Sequence, residues 1–453
     1  MKSLKTLFFA LPVAGLFLMD ARDASACGGC FGPPAEDTQV TSHQMILSVD
    51  NTQTTLWDQI SYTGAPEFFA WVLPTKGVVD IGLSSDLLFQ SMNAITQVQV
   101  FPPFFNCPTP CFDGANGAGT SSSSTGTGGG VMVIAQEVVG PYETVQLSAA
   151  DPQELKDWLL NNNFVLPPDV APIIDSYVAE GFNFLALKLA PGEGIDSMRP
   201  VRVTTPGASP VLPLRMVAAG TGAVTPITLH VIGEGRYTPS NFASFSIDEE
   251  ELIWDWGQSR SNYTDLRQAG LAANSGKTWL IEGAEPLSPY TIEDNIYNTV
   301  QYQPELSGYG DALGEGAQAE AEADLAALYG AIAPDSLWVT RMLAELPRAA
   351  LGTDLQVGAS PEQSEVPHIF QITKTVGPAP TCPPVDTTCG NGSSGGFNPA
   401  EKIGNRVSAV SAGGGGCAVS EPGGMRAVFA GVALVAALAL VRRRRTRRGQ
   451  STL

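Results

Sequence analysis

The chain has 453 residues, 43% of them hydrophobic, with a formal net charge of −20. The apolar content suffices for a real core and excludes a disordered chain, and the length has room for two or three domains. The acidic balance excludes nucleic acid as a partner, because an anionic surface repels a phosphate backbone.

Lys2 and Lys5, an apolar run from Leu7 to Met19, and Ala24-Ser25-Ala26 before Cys27 form a secretory signal. Residues 1–26 are therefore expected to be removed, leaving Cys27 as the first mature residue. Asp20, Arg22 and Asp23 interrupt the apolar approach to Cys27, which argues against lipidation there. Setting aside the ten basic and two acidic residues of the two ends leaves 15 basic and 43 acidic residues, a formal net charge of −28 for the exported part.

Residues 27–112 are predicted to form a first β-rich part of an exported body. Met45, Leu47 and Val49 alternate, Asp50-Asn51 marks a turn, and Leu56–Tyr62 and Phe68–Leu73 follow as strands, a β-meander by spacing. Ser84 or Ser85 can cap a helix that puts Leu88, Met92 and Ile95 on one face. Residues 113–130, mostly Gly, Ser and Thr, cannot pack and read as a flexible insertion.

Residues 131–376 are expected to form the α+β remainder of the body. A strand is predicted from Val131 to Val139, and a helix starts at Asp151-Pro152-Gln153-Glu154 with Leu155, Trp158 and Leu159 buried. Val170, Ile173, Ile174, Tyr177 and Val178 give a second helix, stopped at Gly181. Strands follow at Phe182–Leu189, Val201–Thr204, Val211–Ala218 and Ile227–Ile232, with a tight turn at Gly220-Thr221-Gly222. Asp248–Glu251 reads as a helix N-terminus rather than a calcium loop, since its oxygens lack alternate spacing and a turn glycine. Ala317–Ala333 and Ser336–Leu346 read as two helices separated by Pro334.

Residues 377–424 are a Pro/Gly/Ser-rich stalk, and 425–448 a single C-terminal transmembrane anchor: an uncharged apolar run from Ala427 to Val441, then Arg442, Arg443, Arg444, Arg445, Arg447 and Arg448. Fifteen residues span roughly 22 Å against a hydrocarbon core of roughly 30 Å, so Arg426 and Arg442 must snorkel or the bilayer thin. The arginines are expected to stay on the cytoplasmic side. The glycine run Gly413–Gly416, the single Cys417, the short apolar segment and the arginine run resemble the sorting tail (MYXO-CTERM type) of myxobacterial surface proteins. The resemblance implies a C-terminal processing protease, cleavage near Cys417, transfer to the cell surface or outer membrane, and lipid attachment at that cysteine. Without processing, the body would stay membrane-anchored, facing the periplasm.

The body carries a second resemblance. Cys27-Gly28-Gly29-Cys30-Phe31, the segments Met45–Val49, Thr54–Tyr62 and Phe69–Pro74, and the later blocks Pro210–Met216, Val339–Met342 and Asp354–Gln356 are similar to an exported bacterial family known as domain of unknown function 2330. The resemblance runs roughly from Cys27 to Gln371. It implies secretion and supplies no catalytic, cofactor-binding or metal residue.

Of the seven cysteines, Cys27, Cys30, Cys107, Cys111, Cys382 and Cys389 fall in short-range pairs, which in an oxidising compartment read as disulfides. Spacing favours local pairing, and a long-range bridge from Cys27 or Cys30 to Cys107 or Cys111 stays open. Cys27-Gly28-Gly29-Cys30 could instead be a redox dithiol, but no strand precedes it and Pro33-Pro34 follows it. The three histidines, His43, His230 and His368, stand apart in sequence and read as core or surface residues. No nucleophile elbow, zinc-protease motif or phosphate loop is present. Trp57, Trp71, Trp254, Trp256, Trp279 and Trp338 could line a carbohydrate groove, although strand tryptophans usually belong to a core. The expectation is an α+β, antiparallel sheet-rich body with several packed helices, serving as a non-catalytic surface module for a protein or glycan partner, without cofactor. The competing reading is an envelope enzyme, thiol-redox through Cys27 and Cys30 or a carboxylate hydrolase.

Overall fold

A computed structural model describes residues 29–31, 39–63, 70–104, 138–147, 152–164, 166–190, 197–311 and 313–382, all within a compact unit spanning Met1–Thr387. Residues 1–26, 113–130 and 383–448, which hold the expected signal, insertion, most of the expected stalk and the expected anchor, lie outside the described residues. Among the described residues no helix is long and apolar enough to cross a membrane.

The body is α+β and sheet-rich, with eight α-helices among the described residues. Its frame is an eight-stranded sheet in the order Ala243–Phe245, Thr278–Pro286, Leu337–Pro347, Val224–Glu234, Gln39–Val49, Gln53–Thr63, Val201–Pro206, Asp80–Leu83. Most neighbours are antiparallel, but two pairs run parallel: Ala243–Phe245 beside Thr278–Pro286 at one edge, and the central pair, Val224–Glu234 beside Gln39–Val49. A five-stranded sheet, Gly29–Phe31, Ala70–Thr75, Asn183–Leu189, Tyr142–Leu147, Val138–Val139, packs against one face.

Side-chain alternation then assigns four layers. Met45, Leu47, Ile227, Leu229, Met342 and Ala344 point from the large sheet into a shared core with Trp71, Leu73, Leu185 and Leu187 of the smaller one. Ile46, Trp57, Ile232 and Val339 point the other way, onto the helices Asp86–Thr96, Pro289–Tyr302 and Ala317–Tyr329 through Leu88, Phe89, Ile292, Ile296, Leu325 and Leu328. The outer face of the small sheet, Ala70, Val72, Phe184 and Ala186, is covered by the helices Pro152–Asn161 and Ala171–Ala179 through Leu155, Leu159, Ile174 and Tyr177. The result is a two-sheet sandwich with helices on both outer faces.

Several expectations hold. Asp50 closes the first hairpin, its carboxylate accepting from the Thr52 and Gln53 N–H groups at 2.5 and 2.9 Å. Ser85 caps the Asp86–Thr96 helix, accepting from the Leu87 N–H at 3.0 Å, and Leu88 and Met92 are buried while Ile95 is half-buried. The helices at Ala171–Ala179 and Ala317–Tyr329 are present, and Gly181 ends the first at φ +77°. Of the strand expected at Val131–Val139 only Val138–Val139 is described, and Asp151 lies outside the described residues.

Three expectations are corrected. The meander breaks after its second strand: Ala70–Thr75 leaves the first sheet and joins the second, burying all six residues between two layers. Val211–Ala218 is a strand only at Val211–Leu212; Pro213 lacks the N–H a ladder needs, and Leu214–Val217 turns helical. Ser336–Leu346 is not a helix but the strand Leu337–Pro347, third in the large sheet and paired on both sides. Both of its faces carry buried apolar groups, so its sequence lacks the clean alternation that marks a half-exposed strand.

The Asp248–Glu251 run forms a short 3-10 turn in which Glu251 Oε2 accepts from the Asp248 N–H at 3.2 Å. A glycine-rich loop joins the helices Pro289–Tyr302 and Ala317–Tyr329. Gly310 within it sits at φ +72°, and a Cβ there would lie 2.5 Å from the Glu315 carbonyl oxygen and 2.7 Å from the Ala317 nitrogen. Both neighbours are backbone, so Gly310→Ala is expected to destabilise the body by about 1–2 kcal/mol, read as a lowered thermal midpoint. An unchanged midpoint would show that the loop rearranges freely.

Candidate functional site

The residues singled out from sequence scatter. Cys27, Cys107, Cys111, Cys389, Cys417 and Arg442 to Arg445 lie outside the described residues. Cys30 pairs by backbone opposite Trp71 at the sheet edge, and Cys382 ends the described part. Trp57, Trp71 and Trp279 are fully buried, in keeping with core roles. Trp254 and Trp256 meet edge-to-face at 6.1 Å, and Trp338 is half-buried on a different strand, so the six tryptophans do not line one groove.

His43 and His230 are buried and His368 nearly so. His43 shares the inner face with Met45 and Leu47, and neither ring nitrogen has a hydrogen-bond partner. It is therefore a core histidine without the hydrogen-bond satisfaction usual for one. Burial holds its pKa well below the ordinary value. His230 points to the opposite face, its Nε2 3.0 Å from Thr96 Oγ1 and 3.1 Å from Arg341 Nη1. Burial first, then the Arg341 charge, keep that ring neutral. His368 Nδ1 stands 3.3 Å from Glu285 Oε1.

Three charged clusters that no spacing announces tie elements together, two of them buried between layers and the third reaching the surface at Glu180. In the first, Asp324, fully buried on the Ala317–Tyr329 helix, is ringed by donors: Trp57 Nε1 at 3.0 Å, Tyr309 OH at 2.9 Å, Arg202 Nη1 at 2.7 Å, and the Ser84 hydroxyl. Burial lifts its carboxyl above the ordinary range, against the pull of Arg202 and the neutral donors. Beside it Arg199 joins Glu320 at 2.5 Å and donates to the Ser84 and Gly310 carbonyls.

In the second, Arg341 donates to Glu282 Oε2 at 2.7 Å and Asn93 Oδ1 at 2.6 Å as well as facing His230, and Tyr263 OH reaches Glu282 Oε1 at 3.3 Å. In the third, Arg215 lies over the Tyr177 ring at 4.1 Å and grips Asp354 and Glu180 at 2.6–2.7 Å, while Tyr177 OH donates to Asp354 at 2.6 Å. Each cluster ties a helix or turn to another element, and its charged groups face partners within the protein. Among the described residues no group of three or more His, Cys, Asp or Glu could hold a metal ion.

An open cleft lies at one end of the shared core. A cavity of about 50 Å³ is lined by Leu47, Leu56, Leu73, Phe182 and Val203, with Lys76 at its rim. Lys76 Nζ sits 4.9 Å from the Phe182 ring centroid. Thr54, Thr75, Thr205 and Ser209 add to the cavity's lining.

These features define a class: an α+β sandwich of two sheets clad by helices, with charged clusters whose groups pair within the protein. A family model described as "Uncharacterized protein conserved in bacteria (DUF2330)" matches residues 21–309, and the chain belongs to that family. The blocks Val339–Met342 and Asp354–Gln356 lie beyond the matched residues. No curated protein matches the chain in sequence. Among solved structures the chain is similar to one described as the crystal structure of baculovirus P35, at 9% identity over 47% of this chain and 67% of that one. The TM-score is 0.26, too low to carry any argument.

Proposed function

We propose that the protein is an exported module held at the cell envelope or surface, acting by binding or by structure rather than by catalysis. The observation that carries this reading is the internal pairing of the charged clusters. Asp324, Glu282, Asp354 and His230 are the groups whose burial would suit acid–base chemistry, and each already faces donors or cations of the protein itself. In this reading residues 1–26 direct export and residues 377–424 form a stalk. Residues 425–448 anchor the chain in the membrane until a processing protease acts near Cys417, and the paired cysteines form disulfides.

Mass mapping of the mature protein from cells tests the reading, with free thiols alkylated before proteolysis. The expected result is an N-terminus at Cys27, Cys27 and Cys30 fully disulfide-bonded, and a C-terminus near a modified Cys417. Free or mixed Cys27 and Cys30, with Arg442–Leu453 still attached, would overturn it in favour of a membrane-anchored thiol oxidoreductase. Turnover of a glycan or peptide panel would favour the hydrolase.

A further inference from the structure

From Thr278 to Thr340 the chain runs 63 residues without a lysine, arginine or histidine, while carrying 11 carboxylates. Four of these are matched from elsewhere: Glu282 by Arg341, Glu320 by Arg199, Asp324 by Arg202 and Glu285 by His368. The other seven, Glu293, Asp294, Glu305, Asp311, Glu315, Glu322 and Asp335, form no ion pair among the described residues. The same stretch exposes large apolar side chains. Tyr302 is 71%, Leu306 69% and Leu313 82% exposed.

These three belong to one small region, the end of the Pro289–Tyr302 helix and the loop after it. The turn Pro304–Leu306 follows the helix directly, and a Cβ on Gly314 would lie 2.6 Å from the Pro304 Cβ, which sets Leu313 beside that turn. The loop is fastened from beneath. Ser85 Oγ donates to the Ser307 carbonyl at 2.5 Å, and Arg199 donates to the Gly310 carbonyl at 2.8 Å. The Gly310 N–H donates to Glu320 at 2.7 Å, and Asp311 Oδ1 accepts from the Leu313 and Glu315 N–H groups at 2.8 and 2.9 Å. Leucines on a mobile loop would fold back onto the body; here the backbone is held while the side chains stand in water. A pre-fixed apolar surface loses little entropy when a partner covers it.

We propose that the Tyr302–Leu306–Leu313 surface is a docking site for a basic, apolar-bearing peptide segment of a partner protein. Charge chooses the occupant. Glu305, Asp311 and Glu315 rim the leucines with no cation among them, so the face attracts lysine and arginine, and Tyr302 offers a ring face on which a guanidinium stacks. A second copy of this chain, whose exported part carries −28, is repelled, as are nucleic acid and anionic lipid. The site rests on the reading of the body as a binding module and names the partner chemistry of that module.

The test uses mature protein purified from cells and a synthetic amphipathic peptide of leucine and arginine, with its leucine–glutamate counterpart as control, followed by fluorescence anisotropy. Binding of the arginine peptide is expected to weaken at least tenfold in the double variant Leu306→Ser/Leu313→Ser, with an unchanged thermal midpoint, since both side chains are already exposed. Glu305→Gln/Glu315→Gln should weaken binding several-fold and flatten its salt dependence. Equal binding of the glutamate peptide, or wild-type affinity in the leucine variant, would overturn the site. The measurement does not depend on where the protein resides, so its failure leaves export and attachment standing, and failed export leaves the site standing.

Discussion

Asp324→Asn is expected to cost about 3–5 kcal/mol of folding stability at neutral pH, the largest loss of any single substitution considered. The change removes a charge and almost no volume, so packing against Leu325 and Leu328 is kept. What is lost is the anion that Arg202, 12% exposed, was buried against. The amide also turns an N–H₂ group toward Trp57, Tyr309 and Ser84, all of which donate to the carboxylate. Urea denaturation reads the loss as a lower midpoint at constant slope. The double variant Asp324→Asn/Arg202→Gln should recover at least about 1 kcal/mol of it, because the cation is no longer stranded. A cost below about 1 kcal/mol in the single variant would mean that burial already keeps the carboxyl protonated, so that no charge is lost.

The second large effect runs toward greater stability. His43→Leu is expected to stabilise the body by about 1–3 kcal/mol, because a buried imidazole whose two nitrogens lack partners is replaced by an apolar side chain of similar size. The gain should depend on pH. The folded-state pKa of His43 is depressed by burial, so the unfolded chain takes up a proton first as pH falls. Stability tied to the neutral ring is complete above the unfolded pKa of about 6.5 and is lost below it, by up to about 1.4 kcal/mol per pH unit. His230 is depressed in the same direction while the raised carboxyls of Asp324 and Glu285 work against both, so the profiles of the wild-type protein and His43→Leu should differ by the slope of one proton. Chemical denaturation from pH 7.5 to 5 tests this. Parallel profiles for the two proteins would show that His43 is solvated or protonated in the folded state.

Sequence reading succeeds here where one face of an element meets water. The Ser85-capped helix and the Ala317–Tyr329 helix show their period because one side is polar or small. It fails at Leu337–Pro347, where Leu337 and Val339 are buried on one face while Met342, Ala344 and Leu346 are buried on the other. It also fails at Ala70–Thr75, because hairpin spacing cannot say that a third strand changes sheets. The charged clusters were illegible for another reason. Asp324 is 267 residues from Trp57 and 122 from Arg202, and only its place between Ala321 and Leu325 on an apolar helix face hinted at a buried carboxylate. Arg341 and Glu282 gave no hint.

The parallel pairing of Gln39–Val49 with Val224–Glu234 also governs the order in which the body can form. Ile227 lies opposite His43, so the centre of the sheet joins segments almost two hundred residues apart, and its next neighbour, Leu337–Pro347, arrives a further hundred residues later. An emerging chain can close the Gln39–Thr63 hairpin early, but the Gln39–Val49 edge of that hairpin stays open until Val224–Glu234 is available. Loop closure of that length makes folding slow and leaves the early strands exposed to wrong partners. The body is thus completed only when Leu337–Pro347 is available, and a fragment ending before Leu337 would leave Val224–Glu234 and Thr278–Pro286 each with an open edge.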